Sequence, residues 1–231
     1  MATVKKKTAK STKSKKKEVT NAFLIEKYMD YVLEHGAEPL TVYRFCKDNA
    51  IEETDFYNHF GSFENLKMGI WTAFHTNTLR VLKNTPGFEE YPNKEKMLSY
   101  FFTFFEILTA NRSYVLFALD EHKSMLRKMN QLKKLRDELK AFAASLIEMS
   151  NDDKNYKISK NPVRLFSEGA WVQFLFLLKY WIQDNSPSFE KTDVAIEKSV
   201  KAIFDVFETT PLESIIDFGK FLVKEKFSTN R

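Results

Sequence analysis

Apolar residues in this chain recur at intervals of three and four over long stretches, with almost no strict alternation. That period lines one face of an α-helix, whereas alternation would mark a half-buried strand. The first stretch predicts a helix over 22–35, with Ile25, Tyr28 and Val32 inward and Gly36 as its left-handed stop, before Pro39 closes the connection. A short helix then starts at Thr41, whose hydroxyl can accept from an amide two or three residues on, with Val42, Phe45 and Cys46 on one face. Asn49 and Ala50 form the turn. Ile51, Phe56, Tyr57 and Phe60 anchor the next helix, and Gly61 ends it. Ser62 caps a fourth helix that carries Glu64 in its first turn, where the helix dipole favours negative charge. Its apolar stripe is Leu66, Ile70, Phe74 and Val81, and Thr85-Pro86-Gly87 stops it.

A second region begins near Asn93. Met97, Tyr100, Phe101, Phe104, Phe105 and Leu108 give a broad aromatic face, interrupted at Asn111-Arg112-Ser113. A short helix over 114–119 and a long amphipathic one over 121–149 follow. The long one turns Leu132, Leu135, Leu139, Phe142 and Leu146 inward. Its outer face carries Lys123, Arg127, Lys128, Lys133, Lys134, Arg136 and Lys140, the pattern of a solvated helix surface. Residues 151–161 read as a polar loop, and Pro162 suits the first turn of a helix over 162–183. From Trp171 to Ile182 that helix is apolar nearly all round, so it must be covered on every side, and a partner chain could cover what this chain leaves open. A helix over 191–207 places Ile196, Val200, Ile203 and Phe207 on one stripe, and a last helix spans 211–226. The fold class is therefore all-α: three short-range helices, a connecting helix, and a bundle of about six.

Composition supports this reading. The 231 residues are 43% hydrophobic and 15% aromatic, with 22 Phe, enough for a sizeable core; six Gly and six Pro leave few breaks. No uninterrupted apolar run is long enough for a membrane-spanning helix, and the N-terminus lacks the apolar core of a secretory signal. With Cys46 as the single cysteine there is no internal disulfide. A cytoplasmic protein without membrane insertion is expected. The net charge of +5 hides an asymmetry: residues 1–20 hold eight Lys and one Glu, so the rest of the chain is slightly acidic. That low-complexity tail is predicted to be disordered. It reads either as a non-specific nucleic-acid arm, each lysine releasing counterions from phosphate, or as a solubilising tail.

Catalytic chemistry finds no support. The four His (35, 59, 75 and 122) make no convincing metal arrangement, and Asp120-Glu121-His122 reads as a solvated helix start. Cys46 lacks a His or Asn partner and suits a small core position. There is no Gly-rich phosphate loop and no G-x-S-x-G elbow. The expectation is a non-enzyme with no metal and no cofactor.

Residues 40–66 carry the functional signal. Two short helices with a tight turn make a helix-turn-helix, which places its second helix in the DNA major groove. Thr41-Val42, Cys46, Asn49-Ala50-Ile51, Tyr57-Asn58-His59-Phe60 and Ser62-Phe63-Glu64-Asn65-Leu66 resemble the DNA-binding headpiece of the TetR family of bacterial repressors. The block from Tyr57 to Leu66 is the most specific part. The resemblance is clear over 22–83 and architectural beyond. Beyond the Lys-rich tail over 1–20, it implies a DNA-binding headpiece over 21–66 and a ligand-binding and dimerisation domain over 67–231.

The implied function is a dimeric transcriptional regulator on a palindromic double-stranded DNA operator. Thr41, Tyr43, Arg44, Thr54, Tyr57, Asn58, His59 and Lys67 are the expected DNA contacts. The implied homodimer interface comes from the last two long helices, through Phe174, Leu178 and Trp181 with Ile196, Val200, Ile203 and Phe207. An apolar small-molecule or acyl ligand would sit among Tyr100, Phe101, Phe104, Phe105, Phe117, Phe166, Trp171 and Phe174; a plain aromatic core is the other reading of those rings. The sequence departs from the family at Ala50, where a turn Gly is usual, and at Phe63, where Lys is usual. Between residues 22 and 70 nine acids meet four bases, so Glu52, Glu53 and Asp55 must turn away if the headpiece is to approach DNA. The alternative is a protein of the same fold that has lost DNA binding and holds a lipid or a partner.

Overall fold

The computed structural model describes residues 19–119, 125–152 and 163–209. Ten α-helices are found there and no strand. They are α1 (Asn21–His35), α2 (Val42–Asp48), α3 (Glu53–Tyr57), α4 (Phe63–Lys83), α5 (Asn93–Ala110), α6 (Arg112–Ala118), α7 (Met125–Gln131), α8 (Lys133–Asp152), α9 (Val163–Gln183) and α10 (Glu190–Thr209). The Lys-rich tail through residue 18, His122 and the helix expected over 211–226 lie outside the described residues, as does most of the polar loop.

The first three helices start and stop where side-chain chemistry dictates. Thr20 caps α1 by accepting from the Phe23 amide at 3.1 Å, and Gly36 ends it at φ 62°. Thr41 caps α2 by accepting from the Arg44 amide at 3.1 Å. Ser62 does the same for α4 through the Asn65 amide at 3.2 Å. Leu24, Tyr28 and Val32 are the buried positions of α1; Leu24 takes the place expected of Ile25, which is half-buried. Phe45, Cys46, Ile51, Phe56 and Phe60 complete this small core. Phe63 joins it: its ring meets Phe45 edge-on at 5.7 Å and Phe56 at 5.6 Å. Phe63 is thus a half-buried aromatic packed against this core.

The helix α4 joins this unit to the rest of the chain. Leu66 and Ile70 face the first core, and Trp71, Phe74, His75, Thr78 and Leu82 face the second. Leu82 is buried and Val81 is exposed, a shift of one residue from the expected stripe. The helix packs against α5, α7 and α8. The helix α9 lies between α8 and α10, and α10 also packs on α5. Contact between α1 and α6 makes a second bridge between the two parts.

The long helix expected over 121–149 is broken at Leu132. Gln131 explains the break: its amide donates to the Ala118 carbonyl at 3.0 Å and accepts from the Trp71 indole at 3.3 Å. A buried residue pinned to α4 and α6 fixes the chain direction there. The basic face of α8 is not wholly solvated either. Arg136 and Lys140 both bind Glu168 of α9, Arg136 at 2.9 Å, and these two cations hold its carboxyl below the usual range.

Candidate nucleic-acid interface and the cleft behind it

The recognition element is short. The helix α3 spans five residues, and only Phe56 is fully buried within it. Thr54, Tyr57, Asn58 and His59 are exposed, the Tyr57 ring meeting Phe56 edge-on at 5.5 Å. Helical spacing sets Thr54, Tyr57 and Asn58 side by side. Glu53 and Asp55 are half-buried, whereas Glu52, just before the helix, is exposed. Two of the three acids therefore lean toward the headpiece. Their charge is felt by Cys46, whose thiol is pushed up to about 11 by burial and by Glu53, Asp55 and Glu52, so it stays protonated and unreactive.

The other expected DNA contacts divide. Tyr43 is exposed on α2. Thr41 spends its hydroxyl on the α2 cap. Arg44 is exposed but paired with Asp48 at 3.3 Å. Lys67 faces elsewhere: it binds Glu38 at 2.9 Å and Glu64 at 3.7 Å and is largely covered. The imidazole of His59 meets the Val19 carbonyl through Nε2 at 2.9 Å. That bond ties the root of the Lys-rich segment to the end of α3.

Ala50 occupies the turn at φ 54°, the left-handed region that a Cβ disfavours. The preceding bonds hold it there: the Ala50 amide donates to Lys47 O at 3.3 Å and the Ile51 amide to Cys46 O at 2.8 Å.

Behind Lys67 the structure opens a cavity of about 640 Å³ between α4, α6, α7 and α8. Glu38, Glu64 and Lys67 form one wall, and Lys133, Lys134 and Asp137 the other. Met68 and Ala118 supply the apolar part, Asn130 and Gln131 the amides. Sequence periodicity does not reveal this site, because its mostly polar residues come from four helices and the α1–α2 connection.

Several of the aromatic residues expected around a ligand are in ring contact with one another. Tyr100 stacks on Phe142 at 4.7 Å, and its hydroxyl meets His75 Nδ1 at 2.7 Å. Phe104 meets Phe174 edge-on at 5.5 Å, and Trp171 stacks on Phe174 at 5.3 Å. Phe101 and Phe105 are buried beside them. Phe166 lies apart, against Phe204 and Phe207 of α10. Phe117 is half-buried on α6. Burial pushes the Tyr100 phenol well up and the His75 imidazole down to about 4, so both are neutral.

A family model described as tetracyclin repressor-like, C-terminal domain, matches residues 96–222, more than half of the chain. The chain belongs to the TetR family. Its all-α architecture agrees, and it is a TetR-family regulator by that match. A comparison with curated proteins finds no match. The matched stretch runs from within α5 through α10, the part in which the resemblance read from the sequence was architectural.

In this TetR-family chain the residues expected at a dimer interface mostly lie inside the subunit. Phe174, Leu178, Trp181, Ile196 and Val200 are buried within the chain; Ile203 and Phe207 are half-buried against its core. The apolar side chains left exposed are others. Leu165, Val172, Phe176 and Tyr180 run as one stripe along α9, with Val194 and Val206 exposed on α10. A Cβ added at Gly169, in the same stripe, would meet nothing within 4 Å. No phase is visible in the sequence of a helix apolar nearly all round, so the outward set could not be told from the inward one. Among the described residues no helix is long and apolar enough to cross a membrane, and no three His, Cys, Asp or Glu gather as a metal site.

Proposed function

We propose that this chain is a dimeric, DNA-binding transcriptional regulator that reads a palindromic operator and answers to a small ligand. The observation that carries the reading is the exposed set Thr54 and Tyr57 on α3 with Asn58 and His59 just past its end, while Tyr43 is exposed on α2 and Glu53 and Asp55 are half-buried. Hydroxyls, an amide and an imidazole are groups that bind phosphate oxygens and base edges. The acidic balance of the headpiece is offset by the eight lysines of the tail, whose root at Val19 is held by His59.

Dimerisation is assigned to the exposed stripe of α9 with the outer face of α10. A contiguous apolar stripe on a water-soluble surface favours association, and two-fold pairing would present two headpieces to two half-sites. Ligand control would act through α4, which shares side chains with both cores. The tight packing of the aromatic rings favours a plain core there over a pocket for an apolar ligand.

The test is selection of bound duplexes from a random library by the full-length chain, followed by binding to the selected sequence across a salt series. The expected result is an inverted repeat bound with a steep salt dependence. Absence of salt-dependent binding at low salt would sink the regulator reading and favour the partner-binding alternative.

A further inference from the structure

We infer that Lys15, Lys16 and Lys17 form a phosphate-binding arm beside α3, and that His59 positions this arm by holding its root. The inference rests on the reading of the chain as a DNA-binding regulator and names residues that supply its contacts to the DNA backbone.

The root of the arm is fixed at several points. The His59 imidazole meets the Val19 carbonyl through Nε2 at 2.9 Å, across forty positions of sequence. A carbonyl only accepts, so Nε2 carries the proton and donates. The backbone of His59 is itself held: its amide donates to the Phe56 carbonyl at 3.0 Å, and the next residue, Phe60, is buried. The Val19 side chain is half-buried against the hydrophobic core, and Thr20 then caps α1. The chain therefore enters the fold at the C-terminal end of α3, next to Tyr57 and Asn58.

Covalent reach places the charge. Lys15, Lys16 and Lys17 stand two to four residues before Val19. An extended chain covers at most about 3.6 Å per residue, so their Cα atoms stay within about 15 Å of that of Val19 in any conformation. For Lys5, Lys6 and Lys7, twelve to fourteen residues away, the same limit is about 50 Å.

The headpiece needs this charge. Of the four bases between residues 22 and 70, three are ion-paired: Lys27 with Asp30 at 3.4 Å, Arg44 with Asp48 at 3.3 Å, and Lys67 with Glu38 at 2.9 Å. A surface whose cations are committed in this way, and whose acids outnumber them, repels phosphate. Lysines 15–17, delivered to the edge of α3, reverse the local sign, and each counterion they release from DNA adds to affinity.

The test compares two variants of the full-length protein that remove equal charge. One carries Lys15→Ala, Lys16→Ala and Lys17→Ala; the other carries Lys5→Ala, Lys6→Ala and Lys7→Ala. Both are titrated onto the selected operator across a salt series. Each phosphate contact contributes about 0.9 to the slope of log affinity against log salt, so the proximal lysines of two headpieces should account for about 5. The distal variant should lose less than about half of that. His59→Phe keeps a ring but removes the donor, and should weaken binding at least about threefold; His59→Gln, whose amide can donate to Val19, should recover most of the loss. Once lysines 15–17 are replaced, His59→Phe should change affinity by less than about 1.5-fold. Urea midpoints equal to that of the unaltered protein check that each variant is folded. Equal losses from the two lysine variants, or a His59→Phe effect that persists without lysines 15–17, would overturn the inference and leave the regulator reading standing on operator binding by the unaltered protein. Absence of salt-dependent binding by the unaltered protein would overturn both.

Discussion

The guanidinium carbon of Arg112 lies 4.5 Å from the centre of the Trp181 ring. It lies equally close to the ring of Phe189, so the cation is sandwiched at the end of α9. The same group donates to the carbonyls of Trp181 at 3.1 Å and Ile182 at 3.2 Å in the last turn of α9, where the Trp181 carbonyl also accepts from the Asp184 amide at 3.2 Å. Next to it Asp184 accepts from the amides and hydroxyls of Ser186 and Thr192. Burial alone would raise that carboxyl; the bonds hold it well below the usual range. Arg112→Ala should lower unfolding stability by about 2–3 kcal/mol in urea melts. Arg112→Lys should recover only part of this, because an ammonium cannot stack and fork at once.

The turn of the helix-turn-helix stores strain that a single substitution can release. Ala50 sits at φ 54°, where glycine suffers no Cβ clash. Ala50→Gly should stabilise the protein by about 1 kcal/mol. The urea midpoint should rise with its slope unchanged; a fall in midpoint would show that the turn is relaxed.

His75 gives stability a pH dependence of definite sign. Burial lowers its imidazole from 6.5 to about 4 in the folded chain. The unfolded chain therefore binds the extra proton between those values. Its contribution is fully present above pH 6.5, is lost as pH falls toward about 4, and changes no further below. The loss is on the order of 3 kcal/mol. His75→Gln should flatten this part of the stability–pH curve, which chemical denaturation at a series of pH values would show.

Phe174 and Phe176 of α9 should behave oppositely. Phe174 is fully buried, and Phe176 is 54% exposed. Phe176→Asp should leave the fold intact and shift sedimentation equilibrium toward monomer. Phe174→Asp should unfold the chain, since it buries an unpaired charge. A Phe176→Asp protein that stays dimeric would remove the α9 stripe from the interface.

Lys67 and Tyr57 separate position in sequence from position in space. Both fall in the stretch that resembles a DNA reader, yet Lys67 is engaged with Glu38 and Glu64 at the cleft. Lys67→Ala should change duplex affinity by less than about twofold, whereas Tyr57→Ala combined with Asn58→Ala should reduce it at least about tenfold. Fluorescence anisotropy with the selected operator measures both.

Local signals were legible wherever one residue type forces one geometry. The caps at Thr41 and Ser62 and the left-handed stop at Gly36 stand where the sequence put them. The all-α fold and the family followed from periodicity and from the block ending at Leu66. The break at Leu132 was not legible, because its cause is a bond from Gln131 to Trp71, sixty positions away in the chain.

The sequence by itself determined the elements, their caps and the helix-turn-helix, since these depend on contacts within a few residues. Only the tertiary structure decided direction: which side of α9 is exposed, where Lys67 points, and how far Glu53 and Asp55 turn in. It also decided that a cavity forms beside Lys133 and Lys134. The physical reason is that a helix presents all its side chains around one axis. Periodicity can phase a helix that is apolar on one face, but α9 is apolar nearly all round, and the charged residues of the cavity, on α4, α8 and the α1–α2 connection, share no period at all.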